Sequence, residues 1–259
     1  MSILFAVILG IIQGLTEFLP VSSSGHLAMA QILFGVNGGQ DMLLDVLLHL
    51  GTLVSVVIYY RKDVLDILSH LTKRRIVPLV IIATLPLFAA VFVSDYTKLL
   101  YNSSLFIGCA WIVTGIVLFL SDKVIAGRKD EESAKWYDAL IVGIAQAIAI
   151  LPGISRSGST ITASLFRGFR RDFAVKFSFL LSIPAILGAN ILELKNALEL
   201  GIDTSLLPAY VLGIIAAAVS GWLAIRAVNW IASKARFKYF GIYCAILGII
   251  AVTANLIMR

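Results

Sequence analysis

The residues able to do chemistry gather in two short strings, GLTEFLPVSSSGH at 14–26 and LPGISRSGST at 151–160. In the first, Glu17 is the only acid among the first 40 residues, and it lies in an apolar run. An ionisable group at membrane depth is costly, which makes it a functional candidate by default. Gln13, four residues earlier, shares its helix face, so both side chains direct oxygens into the same space. Ser22, Ser23 and Ser24 add hydroxyls, Gly25 lets backbone N–H groups approach a ligand, and His26 opens the next helix. In the second string Arg156 stands between Ser155 and Ser157, followed by Gly158, Ser159 and Thr160, with no acid near it in sequence. A guanidinium in a buried loop calls for an anion, and its fork matches phosphate oxygens in pairs. The start of a helix behind it adds N–H donors and a favourable dipole.

One carboxylate, one arginine, one histidine and several hydroxyls suit a phosphorylated amphiphile better than a sugar or an amino acid. Phosphoryl transfer needs charge neutralisation and a placed nucleophile, and little else from the protein. Glu17 and Gln13 can hold a divalent cation through oxygen, and His26 or a serine can attack phosphorus or activate water. Two plainer arrangements compete. Glu17 and His26 can hydrogen-bond to each other as a polar packing motif, or Arg156 can simply pair with Glu17. The second leaves the surrounding hydroxyls and glycines without a task.

Both strings must be held inside a membrane. Of 259 residues 59% are apolar and 14% charged, and the mean hydropathy is +0.96. Soluble domains carry about 25% charged residues, so this chain reads as an all-α polytopic membrane protein. That excludes a soluble enzyme, a nucleic-acid binder and a disulfide-stapled secreted domain. Cys109 and Cys244 lie in separate apolar runs and read as free packing residues. The first run contains Gln13 and Glu17 and lacks a basic flank, so a cleaved signal peptide is not expected.

Six segments approach the ~20 apolar residues of a spanning helix, at 43–60, 76–94, 104–121, 173–192, 207–228 and 239–257. Two other stretches, 3–19 and 139–151, are short, and each runs into a proline (Pro20, Pro152) and a Ser-Gly cluster that end the helix. A further short helix follows each break, which is the pattern of a re-entrant hairpin lining a protein cavity. Seventeen of the 21 Lys and Arg residues fall in or beside 61–75, 123–135, 167–176 and 226–238, whereas Lys98, Lys195 and Arg259 fall in the alternate loops or tail. The positive-inside bias places those four stretches in the cytoplasm, and both termini outside.

The layout repeats within one integral membrane domain, 1–259. Residues 1–121 read as a hairpin (3–36) plus three spans, 122–138 as a cytoplasmic linker, and 139–259 as a hairpin (139–168) plus three spans. Gly10-Ile11-Ile12-Gln13 parallels Gly143-Ile144-Ala145-Gln146, Pro20 parallels Pro152, and Gly25 parallels Gly158. Three spans per half force opposite orientations, an inverted repeat that brings the two broken helices together near the midplane. Lesser features read as structural. His49 looks like a core histidine with Asp45 as partner, and His70 like a solvated one. Lys129-Asp130-Glu131-Glu132 looks like a hydrated linker, and Trp111, Trp222 and Trp230 like packing or interface anchors.

The tip sequences resemble the bacterial undecaprenyl-pyrophosphate phosphatase, or bacitracin-resistance, family of integral membrane proteins. The resemblance covers essentially the whole chain and rests on Gln13 to Glu17, on PVSSSGH at 20–26 and on PGISRSGST at 152–160. It implies hydrolysis of the terminal phosphate of undecaprenyl diphosphate to undecaprenyl phosphate, which recycles the lipid carrier for peptidoglycan synthesis and confers bacitracin resistance. It also implies Mg²⁺ or Ca²⁺ dependence and a plasma-membrane site opening on the outer side. By the same resemblance Glu17 and Gln13 bind metal or assist acid–base chemistry, and Arg156 clamps the diphosphate. Ser23, Ser155 and Thr160 contact the diphosphate, and His26 is nucleophile or base. Ser22, Ser24, Gly25, Ser157 and Gly158 complete the expected diphosphate site. Where the family carries glutamate at position 13 this chain has a neutral amide, which puts a two-carboxylate metal site in doubt. An acid-phosphatase-type lipid phosphatase needs a histidine downstream of its arginine, and none follows Arg156. An inverted-repeat carrier that binds a phosphorylated head group without cleaving it is the competing class, and the oligomeric state stays unassigned.

Overall fold

The computed structural model describes residues 2–33, 42–92, 97, 99–124, 127–199, 204–234 and 236–257. The predicted end of the first hairpin (34–36), the end of the second span (93–94), Lys98 and Arg259 lie outside the described residues. Among those described the chain is helical, with no strand beyond one isolated parallel bridge between Lys129 and Phe169.

Helix α1 (Ile3–Phe18) starts behind Ser2, whose hydroxyl accepts the Phe5 N–H, and breaks at Pro20 before α2 (Ser23–Leu33). Helix α3 (Met42–Tyr59) turns by 81° into α4 (Arg61–Ser69), and α5 (Ile76–Val91) and α6 (Ser104–Ser121) follow. The second half opens with α7 (Trp136–Ile148), three residues earlier than the sequence suggested, and breaks at Pro152 before α8 (Arg156–Phe166). It continues with α9 (Arg171–Glu199), a 3₁₀ turn at Thr204–Leu206, α10 (Leu207–Ser233) and α11 (Lys238–Ile257). Helices α6, α9, α10 and α11 are long and apolar enough to cross a membrane, as is α3 with α4 if that bent pair is one span; α1, α5 and α7 are apolar but shorter. The outward faces carry exposed Phe88, Ile215, Leu223, Ile246 and Ile250, which suits lipid and would be a liability in water. The chain is a multi-pass membrane protein.

Packing is set by small residues that let backbones touch. Helix α1 lies on α10, where a Cβ on Gly10 would fall 2.4 Å from the Gly213 carbonyl. Helix α7 lies on α5, where a Cβ on Gly143 would fall 2.4 Å from the Ala83 carbonyl. Helix α6 pairs along α11, and α3 contacts both α9 and α10. Phe18, Phe169, Phe177 and Phe179 fill the core at the junction of the halves.

The four basic stretches meet. Arg74 forks onto Glu131 at 2.7 and 3.0 Å, Lys176 pairs with Asp63, and Lys129 and Arg167 both reach the fully buried Asp138 at 2.8 Å. Asp122 accepts the N–H groups of Phe237 and Lys238, while Lys129 and Arg170 exchange backbone bonds across to Gly168 and Lys129. The 129–132 run is therefore a tie between basic stretches, not the merely hydrated linker its charges suggested. Asp130 closes its turn by accepting from the Ser133 hydroxyl and N–H, and these bonds hold its carboxyl below the usual range.

Candidate active site

Each hairpin break is closed by the same device. In the first, Ser22 stands at φ 70°, a conformation uncommon outside glycine, and its hydroxyl accepts the Gly25 N–H at 3.3 Å to cap α2. In the second, Gly153 supplies the positive φ (92°), and the Ser155 hydroxyl accepts the Gly158 N–H at 3.1 Å to cap α8. The residue after each cap, Ser23 in one and Arg156 in the other, is the first of its helix.

Both first residues reach one carboxylate. Arg156 Nη2 donates to Glu17 Oε1 at 2.9 Å, and Ser23 Oγ donates to Oε2 at 2.6 Å. Gln13 Nε2 adds a third bond to Oε2 at 3.0 Å. Glu17 and Gln13 are buried, and Arg156 is nearly so. Two helix starts thus converge on a buried anion, where backbone dipoles and side-chain donors act together. Removing one partner of such a pair strands a charge, at a cost of about 3–5 kcal/mol. Arg156 Nη1 and Gln13 Oε1 are buried with no hydrogen-bond partner. A fork with one tine on Glu17 and the other idle has a donor to spare for an incoming oxygen anion.

The tips also lock to each other and to α6. Ser157 Oγ donates to the Leu19 carbonyl at 3.1 Å. A Cβ on Gly25 would lie 3.1 Å from Gly153 Cα, so the two loops touch backbone to backbone. Trp111 Nε1 donates to the Val21 carbonyl at 3.1 Å, and Thr114 Oγ1 donates to the Gly153 carbonyl at 3.0 Å while accepting the Ser155 N–H at 3.2 Å. One helix therefore holds both breaks. Behind α1, a Cβ on Gly14 would fall 2.0 Å from Ser220 Oγ, so α1 and with it Glu17 are pinned against α10.

The remaining predicted residues are placed less centrally. His26 does not bond to Glu17. Its Nδ1 meets the Ser22 carbonyl at 2.7 Å, so Nδ1 carries the hydrogen, and in the neutral ring Nε2 accepts from the Tyr243 hydroxyl at 2.9 Å. The ring stacks on Tyr243 and meets Trp111 edge-on. Ser24 and Ser22 share a hydrogen bond, as do Ser155 and Ser157. Thr160 directs its hydroxyl to the Arg156 carbonyl at 2.9 Å and to Ser178 at 2.6 Å, bracing α8 against α9. His49 Nδ1 bonds to the backbone carbonyl of Asp45, not its carboxylate. Trp111, Thr114, Ser178 and Tyr243 were not foreseen as site residues. A lone Thr or Trp in an apolar span carries no signal of its role until the loops it grips are placed.

A family model described as bacitracin resistance protein BacA matches residues 6–250. An undecaprenyl-diphosphatase of Alkaliphilus metalliredigens is 44% identical over 97% of this chain and 98% of its own length. One of Halothermothrix orenii is likewise 44% identical over 97% and 98%. One of Methanosphaera stadtmanae is 34% identical over the full length of both.

Proposed function

The chain belongs to the bacitracin resistance protein BacA family, and we infer that it hydrolyses the phosphoanhydride bond of undecaprenyl diphosphate, giving undecaprenyl phosphate and inorganic phosphate. The observation that carries this reading is the Glu17 carboxylate held by Arg156 and Ser23 from opposite tips, with Arg156 Nη1 left buried and unpartnered. This activity returns the lipid carrier for peptidoglycan synthesis and accounts for the bacitracin resistance in the family's name.

The mechanism we propose starts with Arg156 turning its idle Nη1 to the terminal phosphate, while the α2 and α8 helix starts supply further positive potential. Ser22, Ser24, Gly25, Ser155, Ser157, Gly158 and Thr160 shape the diphosphate cradle, the last by bracing α8. Ser23 Oγ, already bonded to Glu17 at 2.6 Å, has the distance of a nucleophile to its base. Attack on the terminal phosphorus forms a Ser23–phosphate bond and breaks the bridging P–O bond. The Ser23 proton passes to Glu17, which gives it to the departing phosphate oxygen as undecaprenyl phosphate leaves, and Glu17 is a carboxylate again. Glu17 then takes a proton from the water that attacks the phosphoserine and returns it to Ser23 Oγ as inorganic phosphate is released. His26 acts in this scheme by fixing the Ser22–Gly25 turn and, after releasing Tyr243, as an alternative base.

A divalent cation fits as a partner of the substrate. Among the described residues no three His, Cys, Asp or Glu side chains gather to hold one alone. The orphaned Gln13 Oε1 beside Glu17 offers an amide and a carboxylate oxygen, and Mg²⁺ or Ca²⁺ sites of this kind are completed by phosphate oxygens. When bound, the cation would neutralise charge on the diphosphate.

We further propose six spans (α3, α5, α6, α9, α10, α11) and two re-entrant hairpins in an inverted repeat. The paired contacts of Gly10 on α10 and Gly143 on α5 support it, because each repeat's first helix packs on the other repeat's second span. The joined basic stretches would face the cytoplasm, and both termini and the site opening the outer side of the plasma membrane.

The test is phosphate release by purified protein from a short-chain polyprenyl diphosphate with Mg²⁺. EDTA should suppress it. No phosphate release, alongside movement of the head group across liposomes, would overturn hydrolysis in favour of a carrier.

A further inference from the structure

A groove of about 390 Å³ opens between the starts of α5 and α7, lined by Arg75, Pro78, Leu79, Ile82, Lys135 and Trp136. None of the hairpin-tip residues lines it. Its volume falls within the ~300–1,000 Å³ of small-ligand sites. The walls are apolar and the mouth is cationic. Arg75 and Lys135 are both exposed and stand immediately before α5 and α7, so both side-chain charges lie at the same end of the two helices.

The carboxylates of Glu131 and Asp138 are engaged by other cations. Glu131 is forked onto Arg74 and accepts the Ile76 N–H, and Asp138 is shared by Lys129 and Arg167. Among the described residues neither Arg75 nor Lys135 has an ion-pair partner of its own; the Arg75 guanidinium reaches only the Ala134 carbonyl, at 3.4 Å. Trp136 is 62% exposed where the apolar helix begins, the level at which aromatic residues sit among lipid head groups. Past Ile82 the two helices close on each other at Ala83 and Gly143.

We propose that this groove binds an anionic phospholipid of the leaflet on the basic side, its phosphate between Arg75 and Lys135 and one acyl chain along Pro78, Leu79 and Ile82. Charge complementarity names the occupant: two cations above an apolar slot match a phosphate carrying a hydrocarbon tail, whereas a free phosphate leaves the slot unfilled. Basic pockets between membrane helices recognise such head groups. The inference rests on the membrane reading and not on hydrolysis, so each can fail without the other.

The test uses the full chain in phosphatidylcholine nanodiscs carrying, at equal mole fraction, brominated phosphatidylglycerol or brominated phosphatidylcholine. Quenching assigned to Trp136 is the difference between the wild type and Trp136→Phe. We expect about thirtyfold stronger association for the glycerol head group, from about 1 kcal/mol for each of the two basic residues near an anionic surface. Arg75→Gln with Lys135→Gln should erase the preference, and Ile82→Phe should reduce association while both charges remain. Unchanged circular dichroism and gel-filtration elution show that each variant is folded, and Arg226→Gln should keep the preference. Equal quenching by both lipids, a preference that survives the double substitution, or full competition by inorganic phosphate would overturn the proposal.

Discussion

Ser22 caps the helix after the first break and Ser155 the helix after the second, each closing on a glycine three residues later. Gln13 and Gln146 sit on the preceding helices in matching positions, both buried and each with an unpartnered carbonyl oxygen. From there the hairpins diverge. Four residues after Gln13 stands Glu17, with three donors on its carboxylate; four residues after Gln146 stands Ile150. The first residue of the new helix is Ser23 on one side and Arg156 on the other. Two helix breaks of the same form thus carry an acid and a hydroxyl on one side and a cation on the other. Acid and cation come together only where the two breaks meet. A symmetric pair would confront two acids or two arginines, and neither could be buried without a counter-charge.

Substitutions can break this division of labour, beginning with the charges. Arg156→Ala should lower kcat for phosphate release by about 10³-fold, because it removes the clamp and strands Glu17. Arg156→Lys should recover little of this, since an ammonium cannot hold Glu17 and a phosphate oxygen as a fork does. Ser23→Ala should cost about 10²–10³-fold in kcat with little change in KM, and acid-quenched single turnovers should lose any protein-bound phosphate.

Thr114→Val removes both bonds between α6 and the second break. It should lower kcat by about tenfold through displacement of Arg156, with the fold intact by circular dichroism. The finest comparison pairs the glutamines. Gln13→Glu should retain or raise activity, and a loss beyond about tenfold would remove Gln13 from the cation side of the site. Gln146→Leu should stay within about twofold, because Ile150, four residues on, leaves it no carboxylate to support.

Much of this arrangement was legible from residue types. Prolines within apolar runs and serine–glycine clusters after them marked the two helix breaks, and the isolated Glu17 and Arg156 singled out the two side chains that the structure brings together. Local strings encode local breaks and caps, so α1, α2, α7 and α8 appear close to where they were read. What the strings do not encode is which distant backbone a side chain meets. Trp111 and Thr114 looked like ordinary residues of a span until Val21 and Gly153 came within reach. His26 was read as a partner or rival of Glu17, yet Tyr243, 217 residues away, takes its Nε2. The 129–132 run looked solvated because its partners, Arg74 and Asp138, lie on other elements. Length also misled at one edge: α7 begins at Trp136 because Asp138 in its first turn accepts the Lys135 N–H.

A double-mutant cycle on phosphate release, with Glu17→Gln and Arg156→Lys singly and together, reaches the core of this account in one experiment. If both residues serve one shared phosphate site, the double variant is no slower than the slower single variant, as for groups that act as a unit. If the two losses multiply instead, Glu17 and Arg156 act independently, and the meeting of the tips is not what makes the enzyme work.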